Sequence, residues 1–178
     1  MSAAGGTILR PLFVDGEGDT HFVPTIMRAL GRTPFLLGGG RARLSTIGVQ
    51  DLARALVDLA LRERTGTAAA VFHATDQTPL RFREMACAIT QSLGGRVPRL
   101  SVPYSVGRAL FKWRGERSLG TTAWNLTAEH RLFLVSRNHW YDSGPLWQLL
   151  GWAPSSTFIE RLPAARQWYQ RFANQEAA

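Results

Sequence analysis

Strand-length apolar runs alternate with amphipathic helical stretches through the first part of this chain, and only helical stretches follow. This order predicts an α/β fold. A parallel sheet is normally covered on both faces, and the strands here are few and short, so we expect an incomplete sheet followed by a mainly helical C-terminal region. The strand candidates are Thr7 to Leu9, Phe35 to Leu37, Ala69 to Ala74 and Arg99 to Val102, and the helix candidates are 22–30, 49–61, 82–93 and 103–113.

Two of these helices have well-defined apolar faces, and each face predicts the side that packs inward. In helix 49–61 the inward face is expected to contain Leu52, Ala53, Leu56, Leu59 and Ala60. In helix 82–93 it is expected to contain Met85, Ala86, Ile89 and Leu93, with Cys87 as a small core residue.

The C-terminal region is predicted to be helical because three capping residues, Thr127, Asp142 and Thr157, each precede an apolar-periodic stretch. Pro163 lies inside the last helix and is expected to kink it. The predicted organisation is a flexible leader over 1–6, a sheet and substrate-binding region over 7–113, a linker over 114–126 and a helical region over 127–178.

The charge is strongly basic, since 21 basic against 13 acidic residues give a net charge of +8. The arginines occur as spaced pairs rather than in one block, which favours a solvated surface, and no nucleic-acid partner is expected. The pairs are Arg41/Arg43, Arg62/Arg64 and Arg81/Arg83. Phe111 to Arg114 interleaves aromatic and basic residues, which favours a core or pocket-cover role over contact with a membrane surface.

Targeting and cross-linking signals are missing from the sequence. No stretch has the pattern of a signal peptide or approaches the ~18 apolar residues of a membrane span. The single cysteine excludes an internal disulfide. A cytoplasmic location is therefore predicted.

Two segments partly match ligand-binding motifs. Gly38-Gly39-Gly40-Arg41 is followed by no helical periodicity, which favours a glycine turn over a phosphate loop. Asp15, Glu17 and Asp19 alternate as in a calcium loop, but the sixth position is threonine rather than glycine, which favours simple turn residues. The four histidines share no ligand spacing, and His73 fits a hydrogen-bonded core residue in a strand. No metal site is predicted.

Four segments in register resemble the extended short-chain dehydrogenases/reductases, the NAD-dependent epimerase/dehydratase family, and favour its 3β-hydroxysteroid dehydrogenase-like branch. The matching family patterns are LRPxNVYGPGD, GDG…VDDLAxA, YNVTDGEP…WRELA and WYDSxxAxxELGWxP…xEWY. The corresponding segments of this chain are Ile8 to Asp19, Gly38 to Ala55, Phe72 to Ala86 and His139 to Tyr169.

The resemblance covers only the C-terminal half of such an enzyme. It implies the last strands of a Rossmann-like sheet and a mainly helical substrate-binding domain. The family's GxxGxxG loop, catalytic Ser/Thr and Tyr-x-x-x-Lys precede the Leu-Arg-Pro strand, and no Tyr-x-x-x-Lys pair occurs in this chain. We therefore expect no catalytic residue here, and NAD or NADP in the complete enzyme without strong binding by this chain alone.

The resemblance also implies where ligands lie. Pro11, Leu12 and Phe13 match positions at the nicotinamide end of the cleft. Phe13 stands where the family usually has Asn, and Gly48 where His is common. The more apolar pocket suits a steroid-like or isoprenoid-like substrate. The positions matching substrate-facing residues are Asp15 (usually Tyr), His21, Phe22 and, by loop position only, Arg43.

Two functions remain open at this point. The first is the C-terminal substrate-binding portion of an NAD(P)-dependent oxidoreductase or epimerase that acts on a hydroxyl-bearing small molecule and is inactive by itself. The alternative is a non-catalytic binding or assembly module, derived from the same family, that docks on a partner chain supplying the missing strands.

Overall fold

The computed structural model describes residues 6–32, 35–62, 70–94, 96, 99–114 and 135–175. Within these ranges the strands β1 to β8 are Thr7–Pro11, Phe13–Asp15, Phe35–Leu37, Arg43–Leu44, Thr46–Gly48, Ala70–Ala74, Leu80–Arg81 and Leu100–Val102. The helices α1 to α7 are Phe22–Arg32, Val49–Leu61, Phe82–Leu93, Tyr104–Arg114, Gly144–Leu150, Phe158–Arg161 and Arg166–Gln175.

The strands associate in pairs. Strand β1 pairs with β6, β2 with β5 and β3 with β8, all in parallel, whereas β4 pairs with β7 in antiparallel orientation. The predicted α/β architecture is confirmed. Strands β2, β4, β5 and β7 were not predicted because each has only two or three residues and contains a polar residue or a glycine, so none forms a continuous apolar run.

Helices α2 and α3 occupy the ranges predicted for them, but the predicted inward face of α2 is confirmed only at Leu52 and Leu59 and is wrong at Ala53, Leu56 and Ala60, which are exposed. Leu52 and Leu59 pack inward around the fully buried Ala55, whereas Leu56 is 50% exposed. The inward face is therefore rotated towards Ala55, because this side of α2 packs against β1, β2, β5 and α5. The predicted inward face of α3 is confirmed at Met85, Ala86 and Ile89, and Cys87 is half-buried.

Two clusters of buried apolar side chains form the core. The larger lies between α1, α3 and the C-terminal helices and includes Val23, Met85, Phe158 and Tyr169. The smaller lies between α2, β6 and α5 and includes Ala55, Ala74, Leu146 and Trp147. Leu44 of β4 belongs to the first cluster and Ile47 of β5 to the second, so the segment from β4 to β5 joins them.

Helix α6 begins at the predicted cap Thr157, whereas the N-cap of α5 is Ser143 rather than the predicted Asp142. Asp142 accepts a hydrogen bond from the Gly144 N–H (2.8 Å), and Thr157 donates its N–H to Glu160 (2.7 Å). The predicted single kinked helix is wrong: α6 and α7 are separate, with a turn over 162–165. Pro163 has no N–H to donate, so the helix breaks there.

Two predicted features lie outside the described residues, namely the linker over 114–126, apart from its first residue, and the start of the helix capped by Thr127. The side chains of Phe111 to Arg114 lie outside them as well. In the ranges that the structure describes, no helix has both the length and the apolarity needed to cross a membrane.

Candidate functional site

The residues predicted at the nicotinamide end lie where β1 turns into β2. Pro11 is the last residue of β1 and is exposed, while Leu12 and Phe13 are half-buried. The Phe13 ring stacks on the ring of Phe22, the first residue of α1, with centroids 4.5 Å apart and planes 13° apart. Ligands of open α/β sheets bind outside the carboxyl ends of the parallel strands, and this aromatic pair lies close to that edge.

Asp15 ends β2 and forms a buried ion-pair cluster with Arg161 and Asp76. The Arg161 Nε and Nη2 donate to the two carboxylate oxygens of Asp15 at 2.9 and 2.7 Å. Its Nη1 and Nη2 donate to those of Asp76 at 3.1 and 2.7 Å. The Ser156 carbonyl accepts a further bond from Nη1, so five hydrogen bonds hold the guanidinium.

Charge in this cluster is unbalanced, since two carboxylates share one cation. Asp15 is 3% exposed and Asp76 5%. Burial raises the pKa of both aspartates above the ordinary value, against the opposing effect of Arg161. Burial alone would lower the pKa of Arg161, but the hydrogen bonds and charges of both aspartates raise it, so the arginine stays charged. This cluster joins β2, the end of β6 and α6, and its first role is structural.

The turn after Asp15 is held by Asp19 and the C-terminal helix α7. The Asp19 carboxylate accepts the N–H groups of His21, Phe22 and Val23 at 2.8, 2.7 and 2.9 Å, which caps α1. The Tyr169 hydroxyl donates to Asp19 (3.2 Å). Asp19 therefore acts as a turn and capping residue, whereas Asp15 of the same segment belongs to the ion-pair cluster.

A separate groove of about 860 Å³ lies beside the carboxyl end of β6. Its floor is held by Thr75 and Ser143, because the Trp147 Nε1–H donates to the Thr75 carbonyl (3.0 Å) and to the Ser143 Oγ (2.9 Å). The Tyr141 ring on its wall stacks on His73, with centroids 4.2 Å apart. The lining includes Gln77, Pro79, Trp140, Tyr141, Trp147, Gln148 and Trp152.

The structure thus brings together only some of the predicted ligand-facing residues. Phe13, Asp15, His21 and Phe22 lie around the start of α1. Arg43 lies on β4 with its side chain exposed, whereas its neighbour Leu44 is buried in the core. None of the predicted residues lines the groove.

The two partial ligand-binding motifs of the sequence do not form a phosphate loop or a metal site among the described residues. Gly38–Gly40 forms the predicted glycine turn, with φ angles of +55°, +68° and +66°, and it leads into β4 rather than into a helix. In the described ranges, no three His, Cys, Asp or Glu side chains are close enough together to hold a metal ion.

Sequence reasoning missed Arg161 and Tyr169 as residues that shape this region. Arg161 lies 146 residues from Asp15 and 85 from Asp76 in the chain. No local spacing indicates such pairs, and the sole available signal was an arginine next to the Thr157-x-x-Glu160 capping box.

Comparison with known proteins gives partial matches. No protein-family model matches the chain. It is 26% identical over 171 residues to a 3β-hydroxysteroid dehydrogenase/decarboxylase isoform 3 of Arabidopsis thaliana, covering 92% of this chain and 30% of that protein. It is also 25% identical over 169 residues to a 4-hydroxy-2-methyl-3-oxo-4-farnesyl-3,4-dihydroquinoline-1-oxide ketoreductase of Stigmatella aurantiaca. That match covers 90% of this chain and 48% of the ketoreductase. The chain therefore spans less than half the length of these curated relatives.

Solved structures share the fold. UDP-glucuronic acid 4-epimerase from Bacillus cereus, in complex with NAD, has a TM-score of 0.58 at 15% identity, covering 93% of this chain and 44% of that one. RMD from Pseudomonas aeruginosa, complexed with NADPH, has a TM-score of 0.56 at 16% identity, covering 93% of this chain and 48% of that one. The partial Rossmann-like fold is confirmed. In sequence and in fold, this chain matches the C-terminal half of an extended short-chain dehydrogenase/reductase, as its motifs predict.

Proposed function

We propose that this chain is the C-terminal substrate-binding portion of an NAD(P)-dependent oxidoreductase or epimerase. The observation that carries the proposal is the half-buried Phe13–Phe22 ring stack, which lies just beyond the carboxyl end of β1. A more polar residue at position 13 would suit a sugar nucleotide, whereas two aromatic rings suit an apolar ring system.

The proposed chemistry is transfer of a hydride between the cofactor and the hydroxyl-bearing carbon of the substrate, with the hydroxyl proton passing to a base. The contribution of this chain is to bind and orient the substrate. Phe13 and Phe22 cover an apolar face of the substrate, and Pro11 and Leu12 flank the end of the substrate that reacts. The base belongs to the part of such an enzyme that this chain does not match, so we expect no turnover by the chain alone.

The described residues fit one end of a nicotinamide dinucleotide. Pro11, Leu12 and Phe13 form an apolar edge that suits contact with a flat ring. A pyrophosphate is normally held at a glycine-rich turn that opens a helix, and the Gly38–Gly40 turn leads into a strand instead. Strong cofactor binding by this chain alone is therefore not expected.

The substrate class is inferred from the curated relatives. Their names specify a 3β-hydroxysteroid and a farnesylated dihydroquinoline oxide, both apolar molecules that carry oxygen on a ring. We infer a substrate of that kind here. Action in the cytoplasm, as the sequence predicts, belongs to the same proposal.

Binding of dehydroepiandrosterone and of UDP-glucose, measured by saturation-transfer NMR, tests this function. The wild-type chain should bind the steroid in preference to the sugar nucleotide. Phe13→Asn should weaken steroid binding about tenfold, since about 1.4 kcal/mol of apolar contact is lost, and the matched control Phe13→Leu should change it less than about threefold. Preference for UDP-glucose, absence of steroid binding, or reduction of NAD⁺ by the chain alone would contradict the proposal.

A second candidate function is assembly with a partner chain. Within the described residues, β1 pairs on one edge only, with β6, and Ile8 and Val71 remain exposed on these two strands. An open edge of this kind accepts another strand. Backbone amide exchange across β1 that slows when a chain carrying the missing half is added would support this function, and unchanged exchange would argue against it.

A further inference from the structure

Pairing of β4 with β7 places two arginines directly opposite each other. Arg43 is the partner of Arg81 in this antiparallel ladder, and Leu44 is the partner of Leu80. Because side chains alternate between the two faces of a strand, the arginines share one face and the leucines the other. Leu44 is buried and both arginines are exposed, so the arginine face is the outer one.

Like charges placed directly across a ladder destabilise it. In the described part of the chain, neither arginine side chain forms an ion pair. Two acidic side chains of neighbouring segments are already engaged, since Glu84 accepts the Arg81 N–H (2.8 Å) and Asp142 accepts the Gly144 N–H (2.8 Å). An anion between the two guanidinium groups would offset the repulsion.

Further positive charge comes from the glycine turn and from α3. Arg41 follows the turn and Arg83 lies in the first turn of α3, and both are exposed. A Cβ atom at Gly40 would lie 2.9 Å from the backbone nitrogen of Arg83, so the turn packs directly on the start of this helix. Two of the three spaced arginine pairs of the sequence, Arg41/Arg43 and Arg81/Arg83, therefore lie on neighbouring segments.

The aromatic groove adjoins this surface. His139 forms a parallel bridge with Leu44, so strand alternation places Trp140 on the face of Arg43. Pro79 comes directly before β7 and precedes Arg81 by two residues, which span roughly 7 Å in extended backbone. Trp140 is 49% exposed, and both Trp140 and Pro79 line the groove.

We propose that Arg43 and Arg81 bind the phosphate group of a small molecule whose ring lies against Trp140 in the groove. Guanidinium groups bind phosphate oxygens in pairs of hydrogen bonds, and an exposed indole offers a flat face for a ring. The adjoining groove of about 860 Å³ has the size of small-molecule sites, which favours a small ligand over a polyanion. This site uses neither Phe13 nor Phe22 and does not depend on the proposed function.

Calorimetric titration of the full chain with phenyl phosphate, at low ionic strength, tests the charge pair. The double variant Arg43→Gln/Arg81→Gln should weaken binding about tenfold or more, because two charge-assisted contacts are lost. The control Arg62→Gln/Arg99→Gln removes the same charge from exposed positions elsewhere and should change affinity less than about twofold. The proposal would be overturned if both double variants bound phenyl phosphate equally weakly, or if the wild type did not bind it.

The ring contact has its own test. Trp140→Ala should weaken phenyl phosphate about fivefold and leave inorganic phosphate within about twofold, since stacking contributes about 1 kcal/mol. Equal effects on both ligands would overturn the assignment of Trp140. A different outcome would identify a general polyanion surface instead. In that case duplex DNA would bind more tightly per phosphate than phenyl phosphate does, and both double variants would lose affinity for DNA equally. Thermal unfolding of each variant verifies that the fold is intact.

Discussion

Gly48 lies directly against Arg161: a Cβ atom on Gly48 would be 2.8 Å from both Cδ and Nε of the arginine. The backbone of Gly48 is extended, with φ −65° and ψ 140°, a conformation that any residue adopts. Glycine is therefore required here for space. Five hydrogen bonds hold the guanidinium in place, so the arginine cannot move aside without losing some of them.

Replacing this glycine should disturb the ion-pair cluster. We expect Gly48→Ala to lower the free energy of unfolding by about 1–3 kcal/mol, the usual cost of overpacking a filled site. Urea unfolding measures the change. In an Arg161→Met background the cost should differ by at least about 0.5 kcal/mol, because the two residues are in contact. Strict additivity of the two substitutions would contradict the assigned contact.

Removal of the shared cation should be more damaging. Arg161→Met leaves the two buried carboxylates of Asp15 and Asp76 without their cation, and we expect a loss of about 3–5 kcal/mol in the free energy of unfolding. The control Arg166→Met, at an exposed position of α7, should cost less than about 0.5 kcal/mol.

Neutralising the whole cluster distinguishes electrostatics from packing. Asp15→Asn and Asp76→Asn, added to Arg161→Met, should recover part of the lost stability, since no charge then remains buried. If the triple variant is less stable than Arg161→Met alone, unpaired charge is not the cause of the loss.

Alkaline pH should destabilise the protein through Tyr169. Burial, with the nearby charge of Asp19 next in effect, raises the pKa of this phenol above its ordinary value of 10.0. The stability it contributes is complete below pH 10 and is lost as the pH rises towards the raised pKa, because the unfolded chain ionises first. The free energy of unfolding should fall there by up to about 1.4 kcal/mol per pH unit.

Urea unfolding between pH 8 and 11 tests this expectation. Tyr169→Phe should lose about 1 kcal/mol at pH 8 through its missing hydrogen bonds, but its stability should decline less steeply above pH 10. Identical slopes in the wild type and in Tyr169→Phe would refute the assignment.

Asp19 should matter as a helix cap. Asp19→Ala removes the acceptor of three N–H groups at the start of α1 and should cost about 1–2 kcal/mol. Glu17→Ala, at an exposed position of the same turn, should cost less than about 0.5 kcal/mol. Millimolar calcium should leave the melting temperature of the wild type unchanged. A calcium-dependent rise in the melting temperature of the wild type that is absent in Asp19→Ala would instead support a calcium loop.

Local features were predictable because their causes are local. The ends of α2 and α3 follow from apolar spacing and end signals within one stretch of chain, and the cap at Thr157 follows from Glu160 three positions away. The outward rotation of Leu56 was not predictable, because it depends on which neighbours cover α2.

The ligand-facing residues were predicted from resemblance, and only the fold shows their surroundings. Asp15 was expected to face a substrate, and its carboxylate is engaged by Arg161. Whether it also contacts a ligand stays a prediction. Arg43 and Arg81 are 38 positions apart in the sequence, and only the antiparallel pairing of β4 with β7 brings them together.

The sequence by itself determined an α/β chain with defined helices and the register of its family motifs, because periodicity, capping and turn chemistry act over a few residues. The tertiary structure decided the Asp15–Arg161–Asp76 cluster, the aromatic groove and the paired arginines. Their members are brought together by strand pairing and helix docking across 38 to 146 positions, and no local spacing encodes contacts over such separations.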